Sequence, residues 1–278
     1  MRRMLIFGLG YSAGRIAERL QGEGWRVSGT SRSGRDGTIA FDDAGAVTAA
    51  IAHASHILVS VPPDASGDPV LVRYGEHLAG QWLGYLSSTG VYGDAQGAWV
   101  DETSPTGAGR RSARADADAA WLARGAHVFR LPGIYGPGRS AIDRVIEGRA
   151  HRIDLPGQVF SRVHVDDIAS GVIAGLDGPP GAYNLADDRP CSQNDVIDYA
   201  CALAGLPRLP LVTMDEAGLS PMARGFYAEN RRVANGKAKR VLGWTPAYPD
   251  YRAGLLALSA ITSPAIASTA PPAASGDQ

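Results

Sequence analysis

Three glycines near the start of the chain carry the clearest chemistry. Gly8, Gly10 and Gly14 follow the apolar run Met4-Leu-Ile-Phe7, and Ile16, Ala17 and Leu20 come after them at helical spacing. A buried strand, a Gly-x-Gly turn and a helix in direct succession form the first half of a dinucleotide-binding unit. Gly8 takes a tight turn that a side chain would forbid, and Gly10 lets the backbone approach a pyrophosphate. Gly8, Gly10, Tyr11, Ser12, Ala13 and Gly14 are the expected cradle, because a helix N-terminus aims free N–H groups and a partial positive charge at the anion. The spacing is one residue wider than the common fingerprint. The strand before it and the helix after it carry the reading against an ordinary strand–helix turn.

Further along, Trp25 to Thr30 reads as a second strand ending in Ser31-Arg32-Ser33. An NAD site places an acid there for the ribose 2′-hydroxyl, and none occurs before Asp36. Arg32, between two small hydroxyl residues, suits a 2′-phosphate, since guanidinium pairs with phosphate bidentately. NADP is therefore the favoured cofactor, with NAD possible if Arg32 is only an exposed loop residue. Asp42, at the end of a short third strand, is expected near the adenine. The strand His56 to Val61 ends in Pro62-Pro63, placing Val59, Ser60, Val61 and Pro62 beside the cofactor. A later strand, Trp82 to Leu86, runs into Ser87-Ser88-Thr89. Residues just past the carboxyl ends of such strands face the ligand crevice, so these hydroxyls either hold a substrate oxygen or simply make a turn.

Strands and helices alternating at this rhythm predict an α/β fold, a doubly wound Rossmann parallel sheet with a small C-terminal substrate lobe. Helices are expected over Ala44–Ala54, Tyr74–Gln81 and Asp195–Leu206, the last capped by Ser192. The sheet domain is assigned to 1–139 plus 158–188 and the lobe to 140–157 plus 189–262. The Ala-, Pro- and Ser-rich 263–278 reads as a disordered tail. Arg144, Arg149 and Arg152 are expected to wall the substrate pocket.

A chain of 278 residues, 45% hydrophobic and 20% charged, has ample core for this architecture. Its net charge of −1 offers no field for a nucleic acid. Basic clusters at Arg110, Arg111 and Arg114, and at Arg231, Arg232, Lys237, Lys239 and Arg240, read as solvated surface or as a pocket for a phosphorylated small molecule. Cys191 and Cys201 lack metal-ligand or disulfide spacing, so no metal is expected and a reducing cytoplasm fits. No apolar run is long enough for a membrane span. His53 and His56 have no partner pattern, and Asp166 and Asp167 read as caps for a helix starting at Ile168.

Five motifs in order carry a family resemblance. Tyr85-Leu-Ser-Ser-Thr-Gly-Val-Tyr-Gly-Asp94 with Val100-Asp-Glu-Thr-Ser-Pro105, Phe129-Arg-Leu-Pro-Gly-Ile-Tyr-Gly-Pro-Gly-Arg139, Val163-His-Val-Asp-Asp-Ile-Ala169 and Tyr183-Asn-Leu-Ala-Asp187 join the glycine turn. Together they resemble the extended short-chain dehydrogenases/reductases, in particular an atypical, YeeZ-like NAD(P)-dependent epimerase/dehydratase branch. The resemblance implies that Leu131, Pro132, Gly133 and Ile134 border the nicotinamide and that Ser88 is the catalytic hydroxyl. It fails at one point. The family's Tyr-x-x-x-Lys pair is absent, for the only lysines are Lys237 and Lys239 and no tyrosine has lysine four residues on. Arg114 is a replacement for the lysine's charge, and Tyr92 and Tyr135 are the phenols nearest by motif. The expected activity is that of an NAD(P)-binding oxidoreductase or epimerase on a small polar substrate, with phosphorylated and nucleotide-linked compounds among the candidates. The alternative is a non-catalytic dinucleotide-binding sensor or scaffold.

Overall fold

The computed structural model describes residues 2–109 and 112–262. Arg110, Arg111 and the expected tail at 263–278 lie outside the described residues. The chain opens with β1 (Arg3–Phe7), α1 (Tyr11–Gly22), β2 (Arg26–Ser31), β3 (Ile39–Ala40), α2 (Ala44–His53) and β4 (His56–Val59). It continues through α3 (Pro69–Tyr74), β5 (Trp82–Ser88), β6 (Trp99–Val100), α4 (Ser112–Ala123), β7 (His127–Leu131), β8 (Gly133–Tyr135) and α5 (Ala141–Ile146). After β9 (Arg152–Ile153) come β10 (Arg162–His164), α6 (Val165–Ala174), β11 (Gly181–Asn184) and α7 (Gln193–Leu203). The last elements are β12 (Leu211–Val212), α8 (Pro221–Tyr227), β13 (Arg232–Val233), α9 (Gly236–Leu242) and α10 (Tyr251–Thr262).

Seven strands form one parallel sheet in the order β11-β7-β5-β4-β1-β2-β3. The strand pleat explains why β1 is a continuous apolar run. Met4 and Ile6 pack against Ile16 and Leu20 of α1 and Ile168 and Val172 of α6. Leu5 and Phe7 face the other way, towards α2, α3 and α4 through Ile51, Tyr74 and Trp121. Both faces are covered, which a parallel sheet requires. A third apolar cluster joins α5, α7 and α10 through Ile142, Ile197 and Leu255.

Two local expectations are corrected. The helix expected over Tyr74–Gln81 lies earlier, at Pro69–Tyr74, because Asp68 caps it by accepting the N–H groups of Val70 and Leu71 at 2.9 and 3.0 Å. Pro69 at its first position supplies the preset φ of a helix start. The helix expected from Ile168 starts at Val165, and its cap is His164, whose Nδ1 accepts from the Asp166 N–H at 3.2 Å. Asp167 instead accepts the N–H groups of Ala247 and Tyr248 at 2.6 and 3.1 Å, tying the closing segment to the sheet domain. His53 and His56 make local contacts, the first to the Ala49 carbonyl and the second edge-on to Trp25.

One buried ion pair fixes α4 against the sheet. Asp118, 1% exposed, accepts from Arg130 Nε and Nη2 at 3.1 and 2.7 Å and from Ser87 Oγ at 2.6 Å. Arg130 also donates to the Tyr92 hydroxyl at 3.0 Å, which donates to Asn184 at 2.8 Å. Replacing one partner strands the other charge in the core. Asp118→Ala should therefore cost about 3–5 kcal/mol in urea unfolding. A loss under 1 kcal/mol would show that the pair is not buried in solution.

Asp187, 2% exposed, has an Oδ2 with no hydrogen-bond partner among the described residues, and burial pushes its carboxyl up to about 7. The folded state holds this proton to about pH 7, whereas the unfolded chain releases it near 4. Between those values the unfolded state binds fewer protons, so this group removes stability as pH rises through the window. Asp187→Asn is expected to flatten the stability–pH curve between about pH 4 and 7 relative to wild type. Parallel curves for the two proteins, measured by chemical denaturation, would refute this.

Candidate functional site

The glycine turn is built as its residues demand. Gly8 has φ of 82°, and a Cβ there would lie 2.9 Å from Val61 Cγ2. Its N–H donates to Thr30 Oγ1 at 3.1 Å, and the Leu9 N–H donates to the Thr30 carbonyl at 2.9 Å, pinning the turn to β2. α1 then starts with no side-chain cap at Gly10 and no acid in its first turn. By contrast α2, α3, α5, α6, α7 and α8 are each capped by a side chain. Nothing lies within 4 Å of where a Cβ would stand at Gly10 or Gly14. Free N–H groups, the positive end of a 12-residue helix and open space in front fit an anion.

This helix mouth adjoins a cavity of about 1160 Å³ at the carboxyl ends of β4, β5 and β7. Of the residues expected at the cofactor, Ser12, Ser60, Pro62, Leu131, Pro132, Gly133 and Ile134 line it, together with Ser88. Ala13 and Val59 have wholly buried side chains in the sheet core, so they offer backbone only. Val61 packs against that core and Gly8. Tyr11 bridges the helix mouth to the loop after β8, its hydroxyl donating to the Pro137 carbonyl at 3.1 Å with Arg139 over its ring. Gly136 permits this contact, because a Cβ there would meet the Tyr11 hydroxyl at 2.6 Å.

The expected adenosine end is set apart, past β2 and β3. Ser31 Oγ accepts from Gly34 N, Arg35 N and Thr38 Oγ1, so its hydroxyl shapes the loop. Arg32 is exposed, and no ion pair or hydrogen bond engages its guanidinium among the described residues. Asp42 is held by Arg73, which forms an ion pair with its carboxylate and donates to its carbonyl at 2.8 Å.

At the opposite wall, Ser88 Oγ accepts the Gly90 N–H at 3.1 Å, leaving its own proton for another acceptor. Both candidate phenols are engaged or enclosed. Tyr92 is locked between Arg130 and Asn184, and burial pushes it up to about 12. Tyr135 reaches the cavity wall, but its hydroxyl is buried against Gly254 and burial raises its pKa. Neither is poised to give up a proton at neutral pH.

Charge in the cavity is one-sided. Arg114, Arg139, Arg144, Arg149, Arg162 and Arg231 line it against Asp143, Glu147 and Glu229. Glu147 pairs with Arg149, Glu229 with Arg231 at 2.9 Å, and Asp143 is occupied in a capping box with Ser140. Arg114, Arg139, Arg144 and Arg162 have no ion pair among the described residues. Arg144 is open to the cavity, and the surrounding protein, then Arg162 and Arg149, disfavour its charge. Arg152, expected on this wall, points elsewhere, to Asp198 at 2.8 Å and the Leu209 carbonyl. Arg232, Lys237 and Lys239 likewise serve as clamps, to Gly97, Ala182 and Asp188. Arg139 and Arg162 were missed as cavity residues because only their fold neighbours, not their spacing, bring them there. Among the described residues no group of three His, Cys, Asp or Glu is placed to hold a metal ion.

No protein-family model matches the chain. It is 30% identical over 140 residues to a 3-diazoavenalumate denitrifying reductase from Streptomyces, a match covering 46% of this chain and 45% of that protein. It is 26% identical over 287 residues to YeeZ of Escherichia coli K12, covering 90% and 97% of the two chains. Among solved structures, a functionally unknown conserved protein from Silicibacter pomeroyi is 44% identical, with a TM-score of 0.83 over 94% of this chain and 99% of that one. The human epimerase family protein SDR39U1 with NADPH shares the fold at 16% identity and a TM-score of 0.73, covering 93% and 99% of the two chains. A Bacillus anthracis dTDP-glucose 4,6-dehydratase with NAD does so at 17% and 0.75, covering 94% and 96%. The chain is thus a homologue of YeeZ and belongs, with the Silicibacter protein, to a family with the Rossmann fold of the extended short-chain dehydrogenases/reductases.

Proposed function

We propose that this protein binds NADP(H) and acts as an oxidoreductase or epimerase on a small anionic substrate. The observation that carries the reading is one cavity shared by three features: the uncapped mouth of α1, the free hydroxyl proton of Ser88 and a set of arginines without acid partners among the described residues. NADP(H), when bound, supplies hydride exchange at a carbon bearing oxygen. In this reading the backbone N–H groups of Tyr11, Ser12 and Ala13 take the pyrophosphate and Arg32 takes the 2′-phosphate. Leu131 to Ile134 flank the nicotinamide, and Ser88 donates to the substrate oxygen.

Arg144, from the lobe built from 140–157 and 189–262, supplies the substrate side together with Arg162 of β10. Arg114, Arg139 and Arg144 border one cavity without a carboxylate partner among the described residues, which favours a carboxylate or phosphate there, whereas Arg162 is held by the Phe160, Cys191 and Ser192 carbonyls and by Gln193 Oε1. The Streptomyces relative is a reductase by name, which supports redox use of the cofactor. Two free, buried thiols, Cys191 and Cys201, are compatible with a reducing cytoplasm. No described helix is long and apolar enough to cross a membrane.

The locked Tyr92 and enclosed Tyr135 favour one rival, a dinucleotide-binding sensor without turnover. Calorimetric titration with NADP⁺ and NAD⁺ tests the cofactor assignment. Arg32→Ala should weaken NADP⁺ about 10- to 100-fold, equivalent to about 1.5–3 kcal/mol for a hydrogen bond to a charged group, and leave NAD⁺ unchanged. Equal losses for both cofactors would contradict a 2′-phosphate contact. NADP⁺ binding without NADPH oxidation across a panel of anionic carbonyl compounds would favour the sensor.

A further inference from the structure

One apolar stripe of the chain is turned to the cavity and not to the core. Leu219, Ala223, Phe226 and Tyr227 all line the cavity, and their i, i+4, i+7, i+8 spacing makes one face of α8 and the residue leading into it. Phe226 is 52% exposed. A single exposed ring needs no explanation, but a stripe bordering one cavity does. The helix is fixed in this attitude at both ends. Arg224 donates to Asp215 Oδ1 at 2.9 Å and to the Met214 carbonyl at 3.2 Å. Beyond Tyr227, the Asn230 N–H donates to Asp94 at 2.8 Å and its side-chain amide to the Gly157 carbonyl at 3.0 Å.

The stripe runs into a patch of positive charge. Tyr227 meets Phe160 edge-on at 5.4 Å, and the Arg162 guanidinium stands 5.9 Å from that same Phe160 ring. Burial raises the Tyr227 phenol, while Arg144 and Arg162 are both near enough to pull it down. The surrounding protein disfavours the Arg144 charge, Tyr227 supports it, and Arg162 and Arg149 oppose it. Rings and cations therefore share one wall. Arg162 is tied to carbonyls, which leaves Arg144 to take an anion, with the Tyr227 hydroxyl within its reach. Neither group has a hydrogen-bond partner among the described residues.

The side chains that would take a ligand's hydroxyls are already engaged. Asp143 caps with Ser140, Glu147 pairs with Arg149, Glu229 pairs with Arg231, and Gln193 Oε1 accepts from Arg162 at 3.1 Å. A ligand rich in hydroxyls needs such acceptors to replace water, whereas a ring needs only apolar cover. Phe160, Phe226 and Tyr227 border this wall, and rings pack well against rings.

We propose that this wall is a subsite for an aromatic acid, with Arg144 and Tyr227 taking its carboxylate or phosphate group and Phe226, Leu219 and Ala223 covering its ring. The proposal rests on the functional reading above and names the substrate class for it. The ring supplies apolar contact, and the guanidinium fixes orientation through a charge-assisted pair.

Three monocarboxylates test it: 3-phenylpropanoate, propanoate and gluconate, titrated calorimetrically into the full chain without cofactor and again with saturating NADP⁺. 3-Phenylpropanoate should bind about 10- to 100-fold tighter than propanoate, the gain from burying a phenyl group, and gluconate no tighter than propanoate. Phe226→Ala should weaken 3-phenylpropanoate about 3- to 10-fold at an unchanged unfolding midpoint, because its ring is half exposed. Arg144→Gln should weaken it about 10-fold and Tyr227→Phe about 3-fold. Phenyl phosphate, titrated in parallel, separates the two anions: tighter binding than 3-phenylpropanoate, lost in Arg144→Gln, assigns the phosphate.

Propanoate or gluconate bound as tightly as 3-phenylpropanoate overturns the proposal. So does full affinity for the aromatic acids in Arg144→Gln or Phe226→Ala, or no binding of either aromatic acid to the wild type. Should Arg144→Gln not fold, Phe226→Ala and Tyr227→Phe decide, and wild-type affinity in both refutes the subsite. Failure of the wild type to bind NADP⁺ defeats the functional reading alone, because the cofactor-free titration still judges this one.

Discussion

Seven strands running the same way leave all their carboxyl ends on one edge, and the cavity lies there, beyond β4, β5 and β7. A parallel sheet also needs cover on both faces. α1 and α6 supply one side, and α2, α3 and α4 the other. The connection from β1 to α1 is consequently a short turn directly over that edge. Because Gly10 offers no side chain, the first N–H groups of α1 are left facing space instead of a cap. An edge with free donors at a helix mouth and hydroxyls at the end of a strand is a place where an anion and a reacting group can meet.

The second constraint is electrostatic. α4 is drawn onto the sheet by the Asp118–Arg130 pair, and the same docking holds Arg114 at the cavity wall. The pair shares Arg130 with Tyr92, which removes that phenol from the cavity. One buried network thus fixes the helix, positions a cation and retires a proton donor. Arg144 of α5 and Arg162 of β10 complete the lining, so further positive charge borders the cavity beyond Arg114.

Much of this was legible in the sequence, for stated reasons. The run Met4 to Phe7, the glycines and the periodic apolar positions of α1 have a short-range cause, and each took the expected conformation. The hydroxyl cap at Ser192 was local too, accepting from Asp195 N at 3.0 Å. What escaped was decided at long range. The Tyr74–Gln81 helix was misplaced because the Asp68 cap and Pro69 outweigh apolar spacing after Tyr74. His164 looked like a neighbour of a carboxylate cap but is itself the cap. Arg144 and Arg149 could be assigned to a pocket wall from their place in the 140–157 stretch, whereas Arg152 looked identical and is withdrawn by Asp198, 46 residues on. Arg130, Tyr85 and Trp121 read as strand and helix core, and only the packed structure shows what their polar atoms hold.

The central claim is that the open mouth of α1 receives a dinucleotide pyrophosphate, and Gly10→Ala addresses it most directly. The backbone at Gly10 is extended, with φ of −100°, and no atom lies within 4 Å of the added methyl position. The variant should therefore unfold at the same denaturant concentration as wild type. Its methyl group stands where the pyrophosphate must approach, so calorimetric NADP⁺ affinity should fall at least about 10-fold, equivalent to about 1.4 kcal/mol. Unaltered NADP⁺ affinity in a variant of wild-type stability would contradict the account.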